Sequence, residues 1–572
     1  MIRTRDAKVW QPGLKVLRAC AALAFVAAFV ACGAPQAAEV QRAAIASAHP
    51  LATAAGYRML RDGGNAFDAA VAICAALAVV EPYSTGLGGG GFWLLHRAAD
   101  GYQIMIDARE IAPAAAALSS YLDRNGRPIA GVMTTGKAVG VPGEVAGLAH
   151  LAERYGKLPL AQTLAPAIAL ARDGFKVDAR FVRIAQYREQ FLVHGVNTAM
   201  FLADGKVPQP GYTLRQPQLA ATLEAIAQRG RDGFYRGEVA QSLVGAVNAE
   251  GGAWQLSDLS GYAVVERPPV KFTYRGATIV SASLPSSGGI TLAQALNILE
   301  QFPRGDARAP QTAHLVIEAL RRGFQDRVLY LGDSDFVTVP SARLMDKAYA
   351  RARAATIDPA AATPSDWLTA GATLAAAESA NTTHYSVIDA DGNRVGATLS
   401  INSWFGSGIV AAGSGVLLNN ELDDFSLQPE MPSAYSLHSG AANRIAPHKR
   451  PLSSMTPTFI EDDKGVLVLG APGGSRIISM VLLGILDYVS HDQVDLERMV
   501  AAPRYHHQCW PDRVEVEPDG FPAEWRAALE AKGHHVQVGS RKWGNMQVVF
   551  KARDGAAQAA SDPRGLQDFA GY

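Results

Sequence analysis

The stretch that most constrains this chain is THYSVIDADGNRVGATLSIN, residues 383–402, in which two alternating apolar runs flank the turn Ala-Asp-Gly-Asn. Asp-Gly between such runs is the strongest short-range signal for a β-hairpin, because a tight turn needs the positive φ that these residues tolerate. Side chains alternate with period two, so counting outward from the turn puts Thr382 opposite Ser400 or Ile401. A hydroxyl at 400 then faces one at 382. Taken alone, the pattern is an ordinary edge hairpin with threonine at its start.

What precedes it has a different character. Residues 358–381, DPAAATPSDWLTAGATLAAAESAN, carry Pro and Ser interruptions and no sustained apolar face, the composition of a mobile linker. A linker ending beside a strand's first residue is what a chain cut would need. Threonine is a poor nucleophile at neutral pH, but a free α-amine on the same residue has a pKa near 8 and can take its proton. Cleavage before Thr382 would therefore build a catalyst.

From Val40 to about Ala355 helix and strand signals alternate. HPLATAAGYRMLRDGGNAFDAAVAICAALAVV reads as two helices broken at Gly-Gly-Asn, and GGFWLLHR and YQIMIDARE read as paired strands. After residue 381 the chain is strand-rich. No period repeats, so a solenoid is excluded. Lys plus Arg (53) equals Asp plus Glu (53), leaving no summed field that favours nucleic acid or an anionic surface. At the start, Arg3, Arg5, Lys8, Lys15 and Arg18 precede an apolar run from Ala19 to Ala31 and small residues through Ala38. That run is shorter than the roughly 20 residues a membrane span requires, so residues 1–38 read as a signal peptide, and export to the periplasm is expected. FVAC, ending at Cys32, gives a lipoprotein signal as the alternative. Only Cys74 and Cys509 then remain, and Cys74 sits in an apolar helical run, as a buried thiol does.

The segment NTTHYSVIDADGNRVGATLSINSWFGSGIVAAGSGVLLNNELDDFS resembles the start of the small subunit in gamma-glutamyltranspeptidases, the glutathione hydrolase proenzymes. HPLA, GGNAFDAAVA, GLGGGGF, DAREIAPAAA, LPSSGGI, KRPLSSMTPT, GAPGGSRII and AAPRYHHQ match in order, so the resemblance runs from about Val40 to the C-terminus. It implies an α+β fold of the N-terminal-nucleophile hydrolase type, a four-layer αββα sandwich. It also implies autocatalytic cleavage between Asn381 and Thr382 into a large subunit, 39–381, and a small one, 382–572. These would stay together as an interleaved heterodimer.

The implied substrates are glutathione and other γ-glutamyl compounds, with amino acids or dipeptides as acceptors and no cofactor or metal. A glutamyl group brings an α-carboxylate and an α-ammonium, so the site is expected to set a cation and hydroxyls on one side and acids on the other. By resemblance Arg109 binds the carboxylate, helped by Ser453 and Ser454. In isolation Arg109 is more often a surface ion pair and the serines a turn after Pro451. Glu421 and Asp424, in NNELDDFS, are assigned to the amine together with Asn402; many bacterial relatives carry Gln at the position of Glu421. Gly473 and Gly474 form the implied oxyanion hole, where a glycine turn opens a helix and directs amide N–H groups at developing negative charge. Ser400 stands where the family usually has Thr, and Tyr435 lies at the lid position over the pocket.

GLGGGG at 86–91 fits G-x-G-x-x-G but follows a helix and opens a strand, the reverse of a dinucleotide site. The pairs His506-His507 and His534-His535 lack metal-ligand spacing, and adjacent strand residues face opposite ways. Two rival functions follow from the same residues: a glutaryl or cephalosporin acylase on the same fold, and an uncleaved binding protein.

Overall fold

A computed structural model describes residues 42–129, 131–365, 382–427 and 440–566, and residues 42–572 cluster as one compact unit. Asn381, Tyr435 and the signal segment lie outside the described residues. Twelve strands form two sheets: β1 (Ala44–Ser47), β2 (Gly90–Arg97), β3 (Tyr102–Ala108), β4 (Val265–Arg267), β5 (Val270–Tyr274), β6 (Ala277–Ser281), β7 (Thr383–Ile388), β8 (Arg394–Ser400), β9 (Thr458–Glu461), β10 (Gly465–Gly470), β11 (Gln547–Ala552) and β12 (Ala557–Ser561). The first sheet runs β1-β7-β8-β2-β3-β4 and the second β12-β11-β10-β9-β6-β5. Each combines strands from both sides of residue 382. The length of the chain suggests several domains, whereas both halves build the same two sheets.

The hairpin forms where the alternation put it, with Leu399 paired to Thr383 and Arg394 to Ile388. Continuing this register by one residue sets Ser400 beside Thr382, which decides between the two registers left open. The hairpin is central rather than at an edge: β1 pairs with β7 and β2 with β8, and every residue of both strands is buried. Its turn also anchors a helix. Asp389 accepts from Asn393 N at 2.9 Å and from Ala66 N at 3.0 Å, the first residue of α2.

Helices α1 (Pro50–Arg61) and α2 (Ala66–Val80) lie against the outer face of the first sheet. α2 begins at the capping box of Asn65 and Asp68, satisfying amides that the first turn leaves unpaired, and all fifteen of its residues are buried. Trp93, Leu95, Ile104, Ile106, Tyr385 and Val387 share its core, while the alternate residues Phe92, Leu94 and Met105 face the second sheet. Beyond the second sheet lie α3 (Gly288–Leu299), α4 (Pro310–Tyr330) and α5 (Arg476–Ser490). The order is helix, sheet, sheet, helix.

Between the sheets is a polar layer with no sequence signal. His384, fully buried, bonds Thr398 Oγ1 at 2.8 Å and Ser386 Oγ at 3.1 Å, and burial drives its pKa down to about 3, so the ring stays neutral. A Cβ on Gly470 would run into that imidazole, so glycine makes its room.

Residues 358–365, expected to begin a mobile linker, are instead fixed. Ala362 N bonds Lys532 O at 2.7 Å, and fully buried Ser365 donates from its amide to Asp512 at 2.7 Å and from its hydroxyl to Cys509 O at 2.7 Å. The composition signals a break in regular structure but cannot show the partners that hold it. Cys74 and Cys509 are free and buried.

Candidate active site

Thr382 is 5 % exposed and immediately precedes β7. Strand alternation sets it on the face of His384 and Ser386, toward the second sheet, while Thr383 turns the other way and donates to Glu81 at 2.8 Å. At that end of the first sheet Thr382 and Ser400 line a pocket that also contains Arg109, Glu421, Asp424, Ser453, Ser454 and Gly474. Six segments distant in sequence converge there.

GLGGGG lets the backbone pack closely against the strand that carries Ser400. A Cβ at Gly88 would clash with Leu417 O, one at Gly89 with Ser400 O, and one at Gly91 with Thr398 O. Its glycines serve close backbone packing behind Ser400. On the opposite wall Gly473 (φ +141) and Gly474 (φ +57) adopt left-handed backbone that side chains disfavour. They link β10 to α5, and their carbonyls accept the amides of Arg476 and Ile477 in its first turn. Gly474 reaches the pocket lining, and Gly473 is its neighbour behind it.

The charged end differs from the expected arrangement. Arg109 is not opposed across the pocket by Glu421 and Asp424 but hydrogen-bonds both directly. Glu110 Oε2 lies 3.7 Å away, and Arg109 Nε reaches Pro451 O at 3.4 Å. Arg109 is fully buried, so it is no surface ion pair. Burial works to lower its pKa, but Glu421, Asp424 and Glu110 outweigh burial and hold it raised and charged. Two buried carboxyls, Glu110 and Glu421, and the half-buried one of Asp424 surround one guanidinium and leave a surplus of negative charge. Burial accordingly pushes Glu421 up to about 7 against the pull of Arg109, and raises Asp424 and, well above its ordinary value, Glu110. Glu421 Oε2 and both Glu110 oxygens have no hydrogen-bond partner among the described residues.

The supporting contacts are specific. Asn419 accepts from Glu421 N at 2.9 Å and donates to Gly88 O and Gly140 O, tying the acidic turn to the glycine stretch. Asn443 donates to Asp424 O at 2.7 Å and accepts from Leu452 N at 2.9 Å, joining that turn to the serine segment. Asn402 N donates to Ser400 Oγ at 2.8 Å and its Nδ2 to Asn420 O at 2.9 Å. Ser453 Oγ accepts from Met455 N at 3.1 Å, and Ser454 Oγ, also in the lining, is buried without a hydrogen-bond partner among the described residues.

Sequence reasoning missed Arg327. It projects from α4 into the lining, fully buried, with Nε donating to Ser287 Oγ at 3.0 Å; that hydroxyl in turn donates to Ser453 O at 2.7 Å. Burial lowers its pKa to about 10, opposed by Asp424. An arginine inside a helical pattern carries no signal of a pocket whose other lining residues, Asp424 and Ser453 among them, lie far from it in sequence.

His534 meets His314 and Glu318 in a buried cluster that adjacent-histidine spacing could not reveal. The two rings hydrogen-bond each other at 2.8 Å, and Glu318 is occupied by Arg321 and Arg322. Two arginines thus pair with that carboxylate.

A family model described as Gamma-glutamyltranspeptidase matches residues 52–572. The chain is 44% identical over 538 residues to a glutathione hydrolase proenzyme of Escherichia coli (strain K12), covering 92% of this chain and 91% of that protein. It is 43% identical over 498 residues to one of Pseudomonas sp. (strain A14), covering 86% and 85%. Among solved structures, a cephalosporin acylase from Bacillus halodurans aligns with TM-score 0.80 and 27% identity over 93% of this chain and 97% of that one.

Proposed function

Because the chain belongs to the gamma-glutamyltranspeptidase family, we propose that its pocket breaks the γ-glutamyl amide of glutathione through an ester on Thr382. It is a gamma-glutamyltransferase and glutathione hydrolase, an enzyme made as a proenzyme. The observation that carries the route is one pocket holding Thr382, Gly474 and the Arg109–Glu421–Asp424 group.

Cleavage between Asn381 and Thr382 would free the α-amine of Thr382, separating a large subunit, 39–381, from a small one, 382–572. That amine takes the proton as Thr382 Oγ attacks the γ-carbonyl carbon. Amides of Gly473 and Gly474 stabilise the oxyanion, each donor worth roughly 3 to 4 kcal/mol in comparable acyl transfers. The C–N bond breaks, the departing amine takes the proton, and the γ-glutamyl ester remains. Water or the amine of an amino acid or peptide then attacks, and the amine of Thr382 mediates the same proton transfer in reverse. The substrate's α-carboxylate would bind Arg109 with Ser453 and Ser454, and its α-ammonium Glu421, Asp424 and Asn402. An arriving ammonium favours ionised Glu421, so binding is expected to release a proton. Ser400 orients Thr382, Tyr435 serves as the lid, and the basic-then-apolar N-terminal segment supports export to the periplasm.

Thr382→Ala tests this route: it should leave one unbroken, inactive chain, while wild type yields two fragments, the shorter beginning at Thr382. Normal fragments from the variant would remove Thr382 from the cut. The likeness to a cephalosporin acylase favours glutaryl amides as a second reading. A glutaryl group lacks the α-ammonium that Glu421 and Asp424 would meet. Turnover of a glutaryl anilide equal to that of the γ-glutamyl anilide would favour it.

A further inference from the structure

Past Thr382 and Gly474 the two pocket walls continue to a rim that the glutamyl-binding groups do not use. On the side of the first sheet the chain leaves Ser400, turns at Asn402 (φ +67) and reaches Trp404. Two residues span at most about 7 Å, so Trp404 stays near that wall. On the side of the second sheet, residues 541–545 precede β11 and pack on the start of α5. Arg476, its first residue, lies 5.3 Å over the Trp543 ring, and Met480 packs against both Gly473 and Gly544.

Arg541 joins the two walls. Its guanidinium lies 4.9 Å over the indole of Trp404, and Tyr187 meets that indole edge-on at 5.1 Å and 83°. Trp404 and Arg541 are half-buried and Tyr187 is 65 % exposed. Among the described residues Arg541 makes no hydrogen bond or ion pair, unlike Arg109 and Arg327.

We infer that Arg541, steadied on Trp404, which Tyr187 braces edge-on, binds the C-terminal carboxylate of the peptide beyond the scissile γ-amide, whether that peptide is departing or arriving as acceptor. The inference rests on the proposed acyl transfer. Arg109, in the buried part of the pocket, is committed to the glutamyl end, so the rest of a γ-glutamyl peptide extends from Thr382 the other way. Its free terminus is an anion. A guanidinium held over an indole face still has N–H groups to offer a carboxylate's two oxygens, and the cation–π contact limits the rotamer freedom lost on binding.

The test uses the matured wild-type enzyme, with a γ-glutamyl anilide as donor and either glycylglycine or glycylglycine amide as acceptor. For wild type the apparent acceptor KM should be about 3- to 10-fold higher for the amide, the range for a charge-assisted contact weakened by solvent. In Arg541→Gln the two KM values should converge, and Arg541→Lys should restore part of the difference. Loss through general disorder of the rim would raise both values together and overturn the assignment, as would an unchanged ratio in Arg541→Gln. Wild type that releases no aniline refutes the functional reading itself, whereas release with an unaltered ratio refutes only the subsite.

Discussion

Replacing Glu421 with glutamine should flatten the fall of stability with rising pH. Glu421 is 2 % exposed and faces Arg109, Asp424, Asp423 and Glu110; burial raises its carboxyl from 4.5 to about 7, with Arg109 opposing. A folded pKa above the unfolded one means that, between those values, the native protein keeps a proton the unfolded chain has released. The stability this group contributes is therefore complete below about pH 4.5 and is lost as pH rises through about 7. At about 1.4 kcal/mol per pH unit, the loss amounts to about 3 kcal/mol. Extrapolated to a chain of this length, that is roughly 1–2 °C per kcal/mol, or about 3–6 °C in the thermal midpoint. Glutamine cannot titrate. Between pH 5 and 8 the wild-type midpoint should thus fall about 3–6 °C further than that of Glu421→Gln, measured by thermal scans of the unliganded proteins at half-unit pH steps. Parallel curves would refute the argument, since they would mean that Glu421 is already ionised at pH 5 beside Arg109.

Arg109→Lys should raise KM for γ-glutamyl donors by about 10- to 100-fold, corresponding to about 1.5–3 kcal/mol, because an ammonium cannot hold two oxygens and both acids in one plane; an unchanged KM would remove Arg109 from the site. Gly89→Ala should cost about 1–3 kcal/mol, because its Cβ meets the carbonyl of Ser400 and Ile401 Cγ2. Its thermal midpoint should drop and the yield of matured fragments should fall with it, and a wild-type midpoint would show that the two strands can separate freely. Thr382→Ala, read by denaturing electrophoresis, should show a single band of full length.

Local physics made part of this molecule legible in one dimension. The Asp-Gly turn between alternating runs specified the β7–β8 hairpin and narrowed the partner of Thr382 to Ser400 or Ile401, because turn chemistry and a two-residue period act over a few residues; the observed register then chose Ser400. The Gly-Gly-Asn break divided α1 from α2, since Asn65 can cap a helix and glycine ends one. Motif resemblance named Arg109, Glu421, Asp424, Ser453, Ser454, Gly473 and Gly474 without saying how they stand to one another. Only the tertiary structure decided that the hairpin lies in the middle of its sheet, that Ser365 is clamped, and that Arg109 grips both acids rather than facing them. It alone brought Arg327 from α4 and Arg541 from the approach to β11 to the pocket and its rim. The physical reason is that such contacts join residues hundreds of positions apart, as Arg109 does with Asp424 and Pro451. No local periodicity encodes them; they exist only once two sheets assembled from both halves of the chain have closed on each other.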